Sequence, residues 1–447
     1  MKFDHGKALT RAEALEALKA RWEFEKRTEH VPVGEACGRV LAQDCHAAYD
    51  LPRHRVSSFD GIAVRAADFA QGVPDTGEWV RGMHFAQADT GDDFPDEFDT
   101  IIAAEDVGYD EAGRLMLDPA LEVKAGNAIK RAGATMGKGE LLYEAGTLLG
   151  PEALAILAAG GWAEAPVVAR LKVAYLPTGT ELVPVGTVPE RGQNVQTNSL
   201  MLGAYFAQWG AEMVAYDIVA DDRAALGIAI DRALAEADVV LVNGGSSRGS
   251  EEFNSELLQE RASWFSHGVK AVPGRPIGLA VIEGKPAINV PGPMIAAYLA
   301  ADWLVRGLVC HYYGQPVPQR VKVPAVLDAP LGARPGFEHL ARLVARDVDG
   351  VLHAAPIPNS ATLAENIRSA NAFLAVPAGV RYEAGDKADI ELLGTKAGEG
   401  AGRRAPLIKK RLEVVEDPSL FLFHMREVLR AAPASRVASR IVSLLRI

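Results

Sequence analysis

The sequence predicts a multidomain α/β protein with a doubly wound central domain, a β-rich region before it and a small β domain after it. Three observations carry that reading. Between residues 171 and 308, apolar runs of strand length alternate with helical stretches, the pattern of repeated βαβ units. Within that span, three loops rich in small and polar residues each follow a strand-like run: Pro177-Thr178-Gly179-Thr180-Glu181-Leu182, Asn243-Gly244-Gly245-Ser246-Ser247-Arg248-Gly249 and Pro291-Gly292-Pro293-Met294. On either side the chain returns to short runs broken by Gly, Pro and Asp, as in compact β structure.

The elements follow in order. Thr10 and Glu13 have capping-box spacing, and Leu15, Leu18 and Trp22 continue a helical apolar stripe. From 31 to 148 the strand-like runs include Gly61-Ile62-Ala63-Val64, Thr100-Ile101-Ile102-Ala103 and Glu140-Leu141-Leu142-Tyr143. Pro151 opens a helix that stops at Gly160-Gly161, with Pro first and Gly last. A strand at 173–176 leads to the first loop, and Thr197 or Asn198 caps a helix ending at Gly210. A strand at 213–219 follows, then a helix capped by Asp221 or Asp222, then the buried strand 239–242. Ser250 starts the next helix, with Glu251 and Glu252 favourably placed in its first turn. Runs at 277–282 and 285–290 flank Glu283-Gly284 as a hairpin before a helix from Met294. The expected domains are 1–47 with 148–170, an inserted 48–147, the doubly wound 171–320, a small β domain 321–397 and a tail 398–447.

Size and charge limit the function classes. The 447 residues exceed what one core ordinarily holds. A formal net charge of −11 argues against a general nucleic-acid binder. Cys37, Cys45 and Cys310 form no C-x-x-C pair, which fits a reducing compartment and offers neither a disulfide framework nor a thiolate metal site. The charged start lacks an apolar signal core, and the apolar run near 294–305 reads as too short to span a membrane and contains Asp302. A cytoplasmic protein is expected. The tail from 401 holds ten Lys or Arg against four Asp or Glu, with Val437, Ile441 and Leu444 on one helical face and Arg436 and Arg440 on another. Packing on the acidic body or a second subunit is preferred for it over a membrane surface.

In an open α/β sheet, loops at the carboxyl ends of strands converge on one edge and form the ligand crevice. Glycines let backbone approach closely, while amides and hydroxyls receive an anion. The expected ligand is phosphorylated or otherwise anionic.

These residues resemble a family, the molybdopterin molybdenumtransferases of the MoeA type, related to the gephyrin E domain. The likeness runs from about residue 9 to 393. Ser57-Ser58-Phe59-Asp60-Gly61-Ile62-Ala63-Val64-Arg65 is similar to the family's S-x-M-D-G-Y-A-V-R. Thr90-Gly91, Pro95 and Asp99 through Glu105 resemble its T-G-x-x-x-P-x-x-x-D-x-V-V-x-x-E stretch. Thr178-Gly179-Thr180-Glu181-Leu182 resembles T-G-D-E-L, and Thr197-Asn198-Ser199 fits the N-S helix start. Asp221-Asp222, Gly244-Gly245 with Ser247 and Gly249, Pro273-Gly274-Arg275-Pro276 and Pro291-Gly292 continue the order.

The resemblance implies an elongated β region beside the doubly wound domain, and a homodimer whose cleft joins the central domain of one subunit to the β region of the other. It implies molybdate and adenylylated molybdopterin as substrates, Mg²⁺ as cofactor, AMP as product, and other cofactor-biosynthesis proteins or recipient enzymes as partners. Dithiolene sulfurs are soft ligands for the metal, so the protein need not supply thiolates.

On this reading Glu181, Asp60 and Glu252 are the catalytic candidates, and Glu181, Glu105 and Glu252 the metal ligands. Thr178, Gly179, Asn198, Ser199, Gly244, Gly245, Ser247, Arg248, Arg275, Pro291 and Gly292 are the substrate-binding candidates. Structural alternatives stand beside them. Glu181 can be a helix-start carboxylate, Asp60 an Asx-turn residue, and Glu105 one half of an ion pair ending a buried strand. Arg248 and Arg275 can be solvated surface cations, and Arg53 and Arg55 read better as a wet loop than as anion partners. The chain also departs from the family. Thr180 replaces Asp, Ala134-Thr135 replace Glu-Asp, Val272 replaces a common Lys, and Pro293-Met294 replace Asn-Pro. A pterin-binding carrier that has lost catalysis is therefore the rival reading, with an interaction scaffold behind it.

Overall fold

The computed structural model describes residues 8–244, 253–358 and 360–393. The tail, and the second glycine loop from Gly245 through Glu252, lie outside the described residues. The chain divides into two compact units, Met1–Pro318 and Gln319–Ile447.

In the first unit the strand Thr28–Pro32 pairs antiparallel with Glu164–Val168. Val33, Leu41, Cys45, Leu149, Leu157 and Val167 share one core, so residues flanking the β-rich insertion on both sides build one body. The capping box forms as read: Glu13 N donates to Thr10 Oγ1 and Thr10 N to the Glu13 carboxylate. That helix, Arg11–Lys19, packs against Val305–Tyr313 of the central domain. Pro151–Ala159 is a helix ending at Gly160. In the insertion, Gly61–Val64 lies between Phe85–Ala88 and Thr100–Ala103, all antiparallel. Ile62, Val64, Phe69, Phe85 and Ile102 pack on one face of this sheet, and Ala63, Phe94, Phe98 and Ile101 on the other. Arg55 is tied into this region, donating to Pro95 O at 3.0 Å and covering the Phe94 ring, which corrects the wet-loop reading.

The central sheet runs in the order Ala211–Ala215, Leu171–Pro177, Val239–Asn243, Lys285–Val290, Gly278–Ile282, Trp264–His267. Its first four strands are parallel, and the last two extend it antiparallel. The β-branched and aliphatic runs of the four inner strands are buried on both faces, as covering helices require. Leu226, Ile230, Ala233 and Leu234 of helix Arg223–Glu236 pack on Ala174, Leu176, Val240 and Val242. Asp222 caps that helix through Ala225 N. The Glu283-Gly284 hairpin forms, both residues having positive φ as a tight type I′ turn needs.

Three expectations change. The run 213–219 is not one strand: pairing stops at Ala215 and returns only as a bridge between Val219 and Thr178. Neither candidate caps the helix start: Thr197 makes no side-chain capping bond, and the Asn198 side chain is drawn inward to Asn243. The apolar stretch from Met294 extends to Tyr313, 20 residues, long and apolar enough to cross a membrane by length and composition. Ala297, Ala300, Leu304, Leu308 and Val309 within it are buried inside the protein, the position of core helices.

In the second unit, Lys322–Leu327, Glu338–Val348, Val351–Pro356, Ala372–Val376 and Lys387–Leu392 close into a small barrel. Leu327, Leu343, Ala354, Val376 and Ile390 fill it.

Ile230 and Ile228 on one helix separate burial from propensity, being 0% and 70% exposed. Ile230→Ala is expected to destabilise the central domain by about 2–5 kcal/mol, and Ile228→Ala to leave it within about 0.5 kcal/mol. Denaturant midpoints of the two variants check this.

Candidate functional site

Register brings the strand ends together. Pro177 lies opposite Asn243, and Asn243 opposite Val290, so the three glycine-bearing loops leave one edge of the sheet. Their spacing is held by a buried amide network. The Asn243 Oδ1 atom accepts from Tyr175 OH at 2.5 Å and Asn198 Nδ2 at 2.9 Å. Its Nδ2 donates to Pro291 O at 2.7 Å, while Asn198 Nδ2 also donates to Gly292 O at 2.8 Å. Burial pushes the Tyr175 hydroxyl pKa well up, so it stays a proton donor. Asn198, expected to bind substrate, has its amide committed to this floor. Ser199 Oγ donates to Gln196 Oε1 at 3.3 Å.

The first two loops touch. Thr178 N donates to Asn243 O, and Asn254 Nδ2 donates to both Thr178 Oγ1 and Gly244 O. Gly244 has φ 130°, and a Cβ there would lie 2.4 Å from Thr178 O. Gly179 has φ 146°, and its missing Cβ would lie 2.5 Å from Glu181 Oε2. Gly244 therefore needs glycine on two grounds, backbone angle and space, and Gly179 on backbone angle, since the Glu181 carboxylate can swing aside. The Glu181 carboxylate folds back over the Gly179 backbone, on the solvent side of the turn.

Thr180 is spent on an acid. Its N and Oγ1 donate to Asp221 Oδ2 at 2.8 and 2.6 Å. The turn that lacks the family's aspartate thus holds a carboxylate from the next loop. Arg275 is exposed just before Gly278, which pairs with Asn289, so it stands at the same edge. Gly245, Ser247, Arg248 and Glu252 lie outside the described residues.

Asp60 and Glu105 belong to the inserted sheet. Thr90 N donates to Asp60 Oδ1 at 2.7 Å, which holds that exposed carboxyl below the usual range. Glu105 does not end a buried strand: the strand stops at Ala103, and Glu105 is exposed in the short turn Ala104–Asp106. Ser57, Ser58, Thr90, Lys130, Arg131 and Thr135 line an open hollow of about 670 Å³ beside them. Among the described residues, no three His, Cys, Asp or Glu gather as a metal-holding group.

Sequence reasoning missed Tyr175, Asn243 and Asn254 as site-builders, and Asp221 as more than a cap. The one polar residue closing the apolar run Val239–Asn243 was the available signal for Asn243.

Comparison with known proteins agrees with this architecture. Residues 9–161 match the profile "MoeA N-terminal region (domain I and II)", 174–311 "Probable molybdopterin binding domain" and 324–393 "MoeA C-terminal region (domain IV)". The chain is 30% identical over 375 residues to molybdopterin molybdenumtransferase 2 of Mycobacterium tuberculosis, covering 78% of this chain and 91% of that one. It is 26% identical over 405 residues to molybdopterin molybdenumtransferase of Bacillus subtilis, covering 86% and 94%. A crystal structure of the molybdopterin biosynthesis MoeA protein from Pyrococcus horikoshii superposes with a TM-score of 0.70 at 24% identity, over 86% of this chain and 99% of that one, a likeness of fold. The chain belongs to the MoeA family of molybdopterin molybdenumtransferases.

Proposed function

We propose that this chain works in molybdenum cofactor biosynthesis, inserting molybdenum from molybdate into adenylylated molybdopterin with release of AMP. The observation that carries the reading is the convergence of two glycine turns, Gly179 and Gly244, with the Pro291-Gly292 loop on one sheet edge. Backbone amides and hydroxyls at such an edge suit the phosphates of a pterin nucleotide. Arg275 at this edge, and Arg248 in the loop beyond Gly244, supply the cations that an anhydride needs.

Mg²⁺ fits the first turn. This ion takes one or two carboxylates and completes its shell with water and substrate phosphate. Glu181, folded over Gly179, and Asp221, held by Thr180, are the two acids at that turn. When bound there it would neutralise charge developing on the phosphoanhydride. Glu252 and Glu105 are the further acids of the reading. Thr178 and the turn amides fix the phosphate ends, and Glu181 orients the attacking water.

The reading includes a cytoplasmic homodimer, with Asp60 and the hydroxyl- and cation-lined hollow of one subunit facing the strand-end loops of the other. A carrier that binds the pterin nucleotide without turnover is the second reading. It is favoured by Thr135 in that hollow, where the family resemblance leads one to expect a carboxylate.

Purified protein given adenylylated molybdopterin, molybdate and Mg²⁺ should release AMP and acquire molybdenum. Glu181→Gln should lower kcat about a hundredfold while its thermal unfolding stays near wild type. Tight binding without AMP release from the wild type would select the carrier. Solution mass should equal two chains; a monomer would remove the shared cleft.

A further inference from the structure

Helix Phe253–Arg261 begins where the first two glycine loops meet, and its first turn is pinned from two sides. On one side Asn254 Nδ2 donates to Thr178 Oγ1 at 2.9 Å and to Gly244 O at 3.2 Å. On the other, Ser255 Oγ accepts from Asn289 Nδ2 at 3.1 Å, and Asn289 is the last residue but one of the strand Lys285–Val290. Asn254 is fully buried, and among the described residues its Oδ1 finds no hydrogen-bond donor. A buried acceptor without a donor costs roughly 1–3 kcal/mol, so this amide is a poor choice for stability alone.

We propose that Asn254 is a positioning residue for the nucleotide-phosphate end of the site: its amide locks Thr178 to Gly244 and so fixes the two glycine turns in the spacing a phosphate group requires. It rests on the reading of this edge as a pterin-nucleotide site. The side chain acts through its neighbours: Thr178 N already donates to Asn243 O, and among the described residues Asn254 alone ties the Thr178 side chain to the Gly244 carbonyl. Removing that amide frees the turns relative to each other and leaves the fold beneath them standing.

Asn254→Leu separates the two roles. The substitution keeps volume and deletes both donated bonds; it removes the orphan acceptor but takes the donor from the Gly244 carbonyl, so the two effects oppose each other and the thermal midpoint should fall by no more than a few degrees. Hydrogen exchange, measured without any ligand, should quicken about tenfold in peptides carrying Thr178, Gly179 and Gly244, and stay unchanged in the barrel. The KM for adenylylated molybdopterin should rise about tenfold, with kcat within about threefold. Thr178→Val, which also removes a hydroxyl placed at the phosphate ends, should raise KM at least as far, and the double variant should add little to Thr178→Val, because Asn254 acts through that side chain.

Unchanged exchange at the two turns in Asn254→Leu would overturn the proposal. So would an equal fall in kcat and stability, which marks a merely structural side chain. If the wild type binds no pterin nucleotide, the functional reading fails and the exchange comparison still decides whether Asn254 fixes the turns.

Discussion

Everything at the candidate site depends on one buried amide. Asn243 ends the strand in the middle of the parallel sheet, and both polar atoms of its side chain are satisfied by groups from three other segments. Net, each such bond contributes only about 1 kcal/mol, but each group left unpaired in the interior costs about 1–3 kcal/mol. The network therefore acts mainly through what its loss would leave exposed: the Tyr175 hydroxyl, the Asn198 amide and the Pro291 carbonyl would all need new partners at once. That constraint gives three loops, separated by more than a hundred residues of chain, a single relative placement.

Local features of the fold were readable in the sequence because their causes are local. Thr10 with Glu13, Asp222 before a helix, Pro151 at a first turn and Glu283-Gly284 between two apolar runs each act within a few residues. Convergence of the glycine loops was also readable, since parallel strands in an α/β sheet have their carboxyl ends on one side. The amide network was not readable, because it is fixed by the register of Pro177, Asn243 and Val290. Glu105 was misplaced for a related reason: an apolar run shows that a strand exists but not the residue at which its ladder ends.

The departures from the family pattern look different once their surroundings are seen. Thr180 looked like a lost carboxylate, yet both of its donors hold Asp221, which restores negative charge to that turn. Thr135 holds no carboxylate among the described residues; it lines a hollow with Lys130 and Arg131. Negative charge is thus present at the Thr180 turn, while Thr135 brings none to the hollow.

The most direct test is a crystal structure of the full chain soaked with adenylylated molybdopterin. The account predicts density for the phosphates against the backbone of Gly179 and Gly244, with Asn243, Tyr175 and Asn198 unmoved beneath it. Ligand seated anywhere else, with the strand-end loops left bare, would contradict it.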